Sequence, residues 1–344
     1  MQTTKIAVDE QPARAFELAA QWLQAGEVVA FPTETVYGLG ALAMDAQAVH
    51  RIFLAKGRPA DNPLIVHVAT LAQAQALSRC WNACAQKLAQ AFWPGPLSLI
   101  VAAAPEIPSV VTAGLDSVAL RMPSHPVALR LIRENGPIAA PSANVSGRPS
   151  PVTAQHVWED LQGKIPLILD GGTCAVGVES TVVDTRGEAP CILRPGGVTR
   201  EQIVAVCGAC TVAQGVFEPV HGKAASPGML HRHYAPRGQA TLIWPGPHLA
   251  DRLCRGYDEA VRMGQTPVIL CSAAVQAQVG ARRTILCDAA GDMAHGLFAA
   301  LRQADAMGAQ RILIQGVPME DTGMAYMNRA LRAAGFDVQR EDMD

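Results

Sequence analysis

The sequence predicts an α/β protein built as two domains, and three observations carry that prediction. Apolar runs of strand length alternate with segments of helical periodicity along most of the 344 residues. Four polar segments rich in Gly, Pro and hydroxyls follow or interrupt those runs between Phe31 and Asp184, as loops at the strand ends of open α/β sheets do. Regular patterning fades between Gly208 and Arg237 and then resumes, which divides the chain into domains at 1–208 and 238–344 with a linker at 209–237.

The elements follow in order. Pro12 to Ala25 reads as an amphipathic helix, with Pro in its first turn and Gly26 just past its end, and Val28 to Phe31 as a buried strand. Asp45 can cap a helix running to about Ala55, and Leu64 to Val68 is the next strand. Within it His67 faces opposite to Val66 and Val68, and a hydrogen-bonded core histidine is the ordinary alternative to a ligand. A helix over Trp81 to Phe92 precedes a strand at Leu97 to Val101. Val118, Leu120 and Met122 share one face of a further strand and Arg121 takes the other, which makes that face a candidate site wall. The apolar Pro137 to Ala140 leads into a Gly/Pro-punctuated loop, a helix starts near Thr153, and another starts at Thr199. Beyond the linker, Ala240 to Trp244, Pro267 to Cys271, Thr284 to Cys287 and Arg311 to Gln315 are short apolar strands separated by helical segments.

Composition narrows the function. With 49% hydrophobic and 17% charged residues the chain buries substantial cores. It has no apolar run of bilayer length, and its start lacks the basic region and apolar core of a signal peptide, so a soluble cytoplasmic protein is expected. A net charge of −2 argues against stable nucleic-acid binding, which needs clustered Lys and Arg. Nine cysteines without a regular framework fit a reducing compartment. Cys207 and Cys210 form the one CxxC, with His231 and His233 downstream; this is a weak zinc spacing, and incidental thiols are the alternative.

The four polar segments are FPTETVYGLG (31–40), KGRPADNP (56–63), PSANVSGRPSP (141–151) and GVESTVVD (177–184). Lys56 and Arg58, two residues apart, can share one side of an extended segment and meet anions, Arg by its fork and Lys as a point charge. A surface basic pair is the alternative. Ser142, Asn144 and Ser150 can bind phosphate oxygens or cap the following helix. No GxxxxGK[ST] loop is present, so phosphates are not held as in P-loop enzymes.

These segments resemble a known family. KxR at Lys56–Arg58, SxN at Ser142–Asn144, and PTETVYGLG, NPL, ESTVVD and LRPG in that order are similar to the YrdC-like domain. The SPG…HYAP linker and a second domain resemble the long form of the threonylcarbamoyl-AMP synthase family. The resemblance implies a YrdC-like twisted mixed sheet with flanking helices, followed by a smaller Rossmann-like α/β domain. It implies a nucleotidyltransferase that joins L-threonine, bicarbonate or CO2, and ATP into threonylcarbamoyl-adenylate and pyrophosphate. The product is then passed to the tRNA threonylcarbamoyl transferase for t6A at position 37 of tRNAs reading ANN codons. Mg2+ enters with ATP, and no organic cofactor is implied. Carried residue by residue, it points to Lys56, Arg58, Asn62, Ser117, Ser142, Asn144, Ser150, Arg194 and Tyr234 for ATP, with Lys56 and Arg58 as the charge-stabilising pair. Interdomain packing is the other reading of Tyr234. For threonine it points to Thr35, His67, Arg121, Ala140, Ser180 and Thr181. Glu34 and Glu179 are the acids nearest the motifs and the candidates for placing Mg2+.

Because a carbamate nucleophile is already anionic, cations and hydroxyls matter more than a general base. Two other classes compete: an RNA-binding translation factor, and a carbamoyl-transfer module of another maturation pathway. Neutral charge and the lack of an aromatic-basic strand motif count against the first, and the lack of acylphosphatase-like and zinc-finger segments counts against the second. The linker's His231, Arg232, His233 and Tyr234 suit a lid over an anionic adenylate better than a passive tether.

Overall fold

The computed structural model describes residues 1–218, 233–288 and 291–340. Among these, one compact unit comprises residues 1–146 and 150–216, and a second comprises 147–149, 217–218 and those from 233 onward.

The first unit opens with β1 (Thr4–Ala7), α1 (Pro12–Gln24), β2 (Val29–Phe31), β3 (Gly38–Leu42) and α2 (Ala46–Lys56). It continues through β4 (Ile65–His67), α3 (Leu71–Ala76), β5 (Ser78–Cys80), α4 (Ala83–Phe92), β6 (Leu97–Ala103), α5 (Ser109–Thr112) and β7 (Ser117–Arg121). Then follow α6 (Pro126–Asn135), β8 (Ile138–Ala139), α7 (Ala154–Leu161), β9 (Leu167–Asp170), β10 (Thr181–Asp184), β11 (Cys191–Arg194), α8 (Arg200–Cys207) and β12 (Thr211–Val212).

Local chemistry explains the boundaries. Asp45 accepts from the amides of Gln47 and Ala48 to start α2, Thr153 caps α7, and Thr199 with Gln202 forms a capping box on α8. Gly57 and Gly208 end α2 and α8 in the left-handed conformation. The strands join one twelve-stranded mixed sheet in the order β1-β9-β2-β3-β8-β4-β7-β6-β10-β11-β12, with β5 added to β6. Phe16 and Leu23 of α1 and Leu131 and Ile132 of α6 pack over Phe31, Leu167 and Leu169 in one core cluster.

The second unit contains β13 (Gln239–Ile243), α9 (Leu249–Arg262), β14 (Pro267–Cys271), α10 (Ala273–Gln276), β15 (Thr284–Leu286), α11 (Met293–Ala306), β16 (Arg311–Gln315), α12 (Gly323–Ala333) and β17 (Val338–Gln339). Its five strands run in the order β15-β14-β16-β13-β17, and every pair is parallel. The mixed first sheet and the Rossmann-like second sheet agree with the fold expected from the sequence. No helix among the described residues is long and apolar enough to cross a membrane.

Candidate active site

The site forms around β4, a strand so short that its two ends lie roughly 7 Å apart at about 3.3 Å per residue. At its start, Arg58 donates through Nη2 to the carbonyls of Asn62 and Pro63, at 3.0 and 3.2 Å. Ala140 N–H donates to the Ile65 carbonyl, which delivers the SxN loop to the same place. Lys56, 3% exposed, donates to the carbonyls of Ser142 and of Asn144, the latter at 2.6 Å. Ser142 donates in turn to the Asn144 side chain. Ser117 begins β7, parallel to β4 and beside this cluster. The backbone departs from the sequence expectation here. Lys56 ends a helix and Gly57 adopts φ 60°, so Lys56 and Arg58 do not lie along an extended segment, and each grips a different loop.

At the other end of β4, strand register aligns a second group. His67 pairs with Arg121 on β7, and Arg121 pairs with Ser98 on β6, so all three share one face of the sheet. Arg121 is 4% exposed; its Nη2 donates to Glu34 Oε1 at 2.6 Å, and its Nε to the Gly95 carbonyl at 3.3 Å. Ser124 N–H donates to the other Glu34 oxygen. Thr35 is fully buried beside Thr33, with their hydroxyls 2.8 Å apart. Ser98 and Ser180 hydroxyls meet at 2.8 Å, and Arg194 clasps the Ser180 carbonyl through Nε and Nη2. Thr181 donates to the Val198 carbonyl. Gly196 is required where LRPG crosses this segment, because an added Cβ would run into the backbone of Glu179, Ser180 and Thr181.

The loop from Pro141 to Pro151 ties the two groups together. Lys56 holds one end, and at the other Ser150 donates to Glu179 Oε1 at 2.6 Å, with both residues buried. Burial and the neighbouring Arg121 charge push His67 down to about 3, so its ring is neutral. Its Nδ1 and the Asn62 Oδ1 are buried with no hydrogen-bond partner among the described residues. Buried polar atoms of this kind offer hydrogen-bonding capacity to a ligand. Burial also raises the Cys174 thiol to about 12, which removes it as a thiolate nucleophile.

The first-unit residues expected at ATP and threonine thus fall into these two groups, with Ser150 and Arg194, expected at ATP, beside Glu179 and Ser180 in the second. Tyr234 belongs to the second unit, where its ring lies 5.0 Å from that of Phe298 and 5.7 Å from the Arg329 guanidinium. Of the lid residues, His231 and Arg232 lie outside the described residues. Sequence reasoning missed Ser98, whose only signal is a lone hydroxyl in the apolar run Leu97 to Val101, and missed the pairing of Glu34 with Arg121. No group of three or more His, Cys, Asp or Glu side chains able to hold a metal occurs among the described residues, Cys207 and Cys210 included.

Comparison with known proteins also gives two parts, with the boundary near residue 197, before α8, and not after Val216. Residues 21–196 match the family described as telomere recombination, which groups Sua5, YciO and YrdC. Residues 198–335 match the family described as threonylcarbamoyl-AMP synthase, C-terminal domain. The chain is 44% identical to the threonylcarbamoyl-AMP synthase of Pyrococcus abyssi, covering 93% of this chain and 94% of that protein. It is 45% identical to that of Bacillus subtilis, covering 94% and 93%. It superposes on the crystal structure of P. abyssi Sua5 complexed with L-threonine with a TM-score of 0.90 and 41% identity, covering 98% of each chain.

Proposed function

The chain belongs to the threonylcarbamoyl-AMP synthase family in its two-domain form, and from that premise we propose how its residues divide the work. The reaction joins threonine, CO2 or bicarbonate, and ATP. Threonine's amine becomes a carbamate; one carbamate oxygen then bonds to the α-phosphorus as the bond to the bridging oxygen breaks and pyrophosphate leaves with that electron pair. The observation that carries the assignment is the loop from Pro141 to Pro151, anchored by Lys56 at one group and by Ser150–Glu179 at the other. It gives two anionic substrates one shared wall, which suits catalysis by positioning and charge stabilisation.

Threonine is assigned to Thr35, His67, Arg121, Ala140, Ser180 and Thr181. Arg121 takes the carboxylate as a fixed fork, and neutral His67 offers its unpartnered Nδ1 as an acceptor. ATP is assigned to Lys56, Arg58, Asn62, Ser117, Ser142, Asn144, Ser150 and Arg194, with Tyr234 carried from the family likeness. Mg2+ retains water and binds through phosphates with one or two carboxylates, so it is read as part of the ATP substrate. Glu34 and Glu179 are the candidate acids for placing it. The product serves t6A formation on tRNA through a separate transferase.

Pyrophosphate release from ATP tests this. It is expected to require both threonine and bicarbonate, and to fall at least about tenfold in Lys56→Ala and Arg58→Ala, each of which loses a charge-assisted contact. Release that ignores threonine would exclude the synthase reading.

A further inference from the structure

Arg252 of the second unit is a buried charge that the synthesis described above does not use. It lies near the start of α9 and is 3% exposed. Nη2 donates to the Trp244 carbonyl at 2.7 Å, whereas Nε and Nη1 are buried without a hydrogen-bond partner among the described residues. A guanidinium does not escape burial by losing its proton, so unpaired donors of this kind are strongly disfavoured unless an anion meets them.

Three features place that anion. The first is topology. β13 leads through α9 to β14 on one side, while its neighbour β16 leads through α12 to β17 on the other. Right-handed crossovers in opposite directions put α9 and α12 on opposite faces, and the carboxyl ends of β13 and β16 become the point where strand order reverses. Open α/β sheets bind ligands at that point. The second is the helix start. His248 occupies the N-cap at φ 56° with no side-chain hydrogen bond to the first turn, which leaves α9's leading amides for another acceptor. The third is the guanidinium itself, fixed there by its bond to Trp244, the residue that follows β13. The backbone closes tightly at the same end. Gly316, just past β16, donates to the Ile243 carbonyl at 2.8 Å, and a Cβ on it would sit 2.7 Å from Pro245 Cδ.

We propose that the carboxyl end of the second unit's sheet, at Arg252 and the first turn of α9, binds a phosphate-bearing anion. A tetrahedral phosphate has acceptors in several directions and can meet Nε, Nη1 and the helix amides together, which a planar carboxylate does less well. The site stands on the second unit alone and does not depend on how the first unit's residues are assigned.

Hydrogen exchange on the full-length protein tests the proposal locally, with inorganic phosphate, pyrophosphate and AMP as separate probes. At least one probe is expected to slow exchange over residues 244–256, with half-saturation moved up about tenfold or more in Arg252→Met, by loss of a charged hydrogen bond. Protection by inorganic phosphate or pyrophosphate identifies a free oxyanion, and protection by AMP alone identifies a nucleotide. Wild-type protein unprotected by all three overturns the proposal, as does equal protection in Arg252→Met. Should the Met variant fail to fold, Arg252→Lys serves instead, because it keeps the charge but not the guanidinium donors and is expected to bind more weakly than wild type; affinity equal to wild type overturns the proposal.

Discussion

Arg121 and Glu34 form an ion pair in which both side chains are nearly sequestered from water, at 4% and 9% exposure. Breaking such a pair from one side leaves a buried charge, so Glu34→Gln is expected to destabilise the protein by about 3–5 kcal/mol. If threonine's carboxylate meets Arg121, it becomes the replacement partner, and threonine should raise the melting temperature more in Glu34→Gln than in wild type. Equal shifts would take the carboxylate away from Arg121. Arg121→Lys should raise the KM for threonine far more than that for ATP, because a point charge replaces a fork. His67 provides a pH signature. Its folded pKa is near 3, below the unfolded value of about 6.5, so between those values the unfolded chain binds a proton that the folded chain does not. Stability from this residue is complete above about pH 6.5 and is lost as pH falls toward 3, with a limiting slope of about 1.4 kcal/mol per pH unit. Denaturant titrations of His67→Asn should show a shallower acid limb than wild type over that window; parallel limbs would mean that His67 titrates normally.

At the level of elements, the caps were the most legible features. Asp45, Thr153 and Thr199 start helices where hydroxyls or a carboxylate precede helical periodicity, and local hydrogen bonds alone produce that result. The KxR segment was misread because its extended reading came from residue spacing. Instead α2 runs on to Lys56 and ends at Gly57, and the Lys56 side chain reaches carbonyls more than eighty residues away. Two-residue strands such as β8 and β17 carry too little pattern to be read without their partners. Gly57 links this element to function. Its φ of 60° redirects the chain between Lys56 and Arg58, and no atom lies within 4 Å of a Cβ placed on it. Gly57→Ala should therefore cost about 1–2 kcal/mol through backbone strain alone. Pyrophosphate release should fall as well if that bend sets the two cations; full activity with reduced stability would confine Gly57 to a capping role.

For the whole molecule, alternation of strand and helix announced two α/β units, and the ordered motifs announced the family, because both are local in sequence. The strand order was not legible: β9 is inserted between β1 and β2, and β8 between β3 and β4, through pairings that depend on which apolar faces meet. Ser98 was hidden for the same reason, since its meaning comes from register with Arg121. Tyr234 tests how far the second unit enters the chemistry. It holds φ 62° and is 4% exposed, with its ring against Phe298, so part of its role is packing whatever else it does. Tyr234→Ala removes ring and hydroxyl together and should destabilise the protein by about 3–5 kcal/mol, the range for a deleted buried aromatic. Tyr234→Phe keeps the ring and deletes only the hydroxyl. If that hydroxyl meets ATP, the Phe variant should show a KM for ATP several-fold higher than wild type, in line with one lost hydrogen bond of about 1 kcal/mol. A Phe variant with wild-type KM and kcat would leave Tyr234 as a packing residue and restrict the ATP contacts to the first unit's loops.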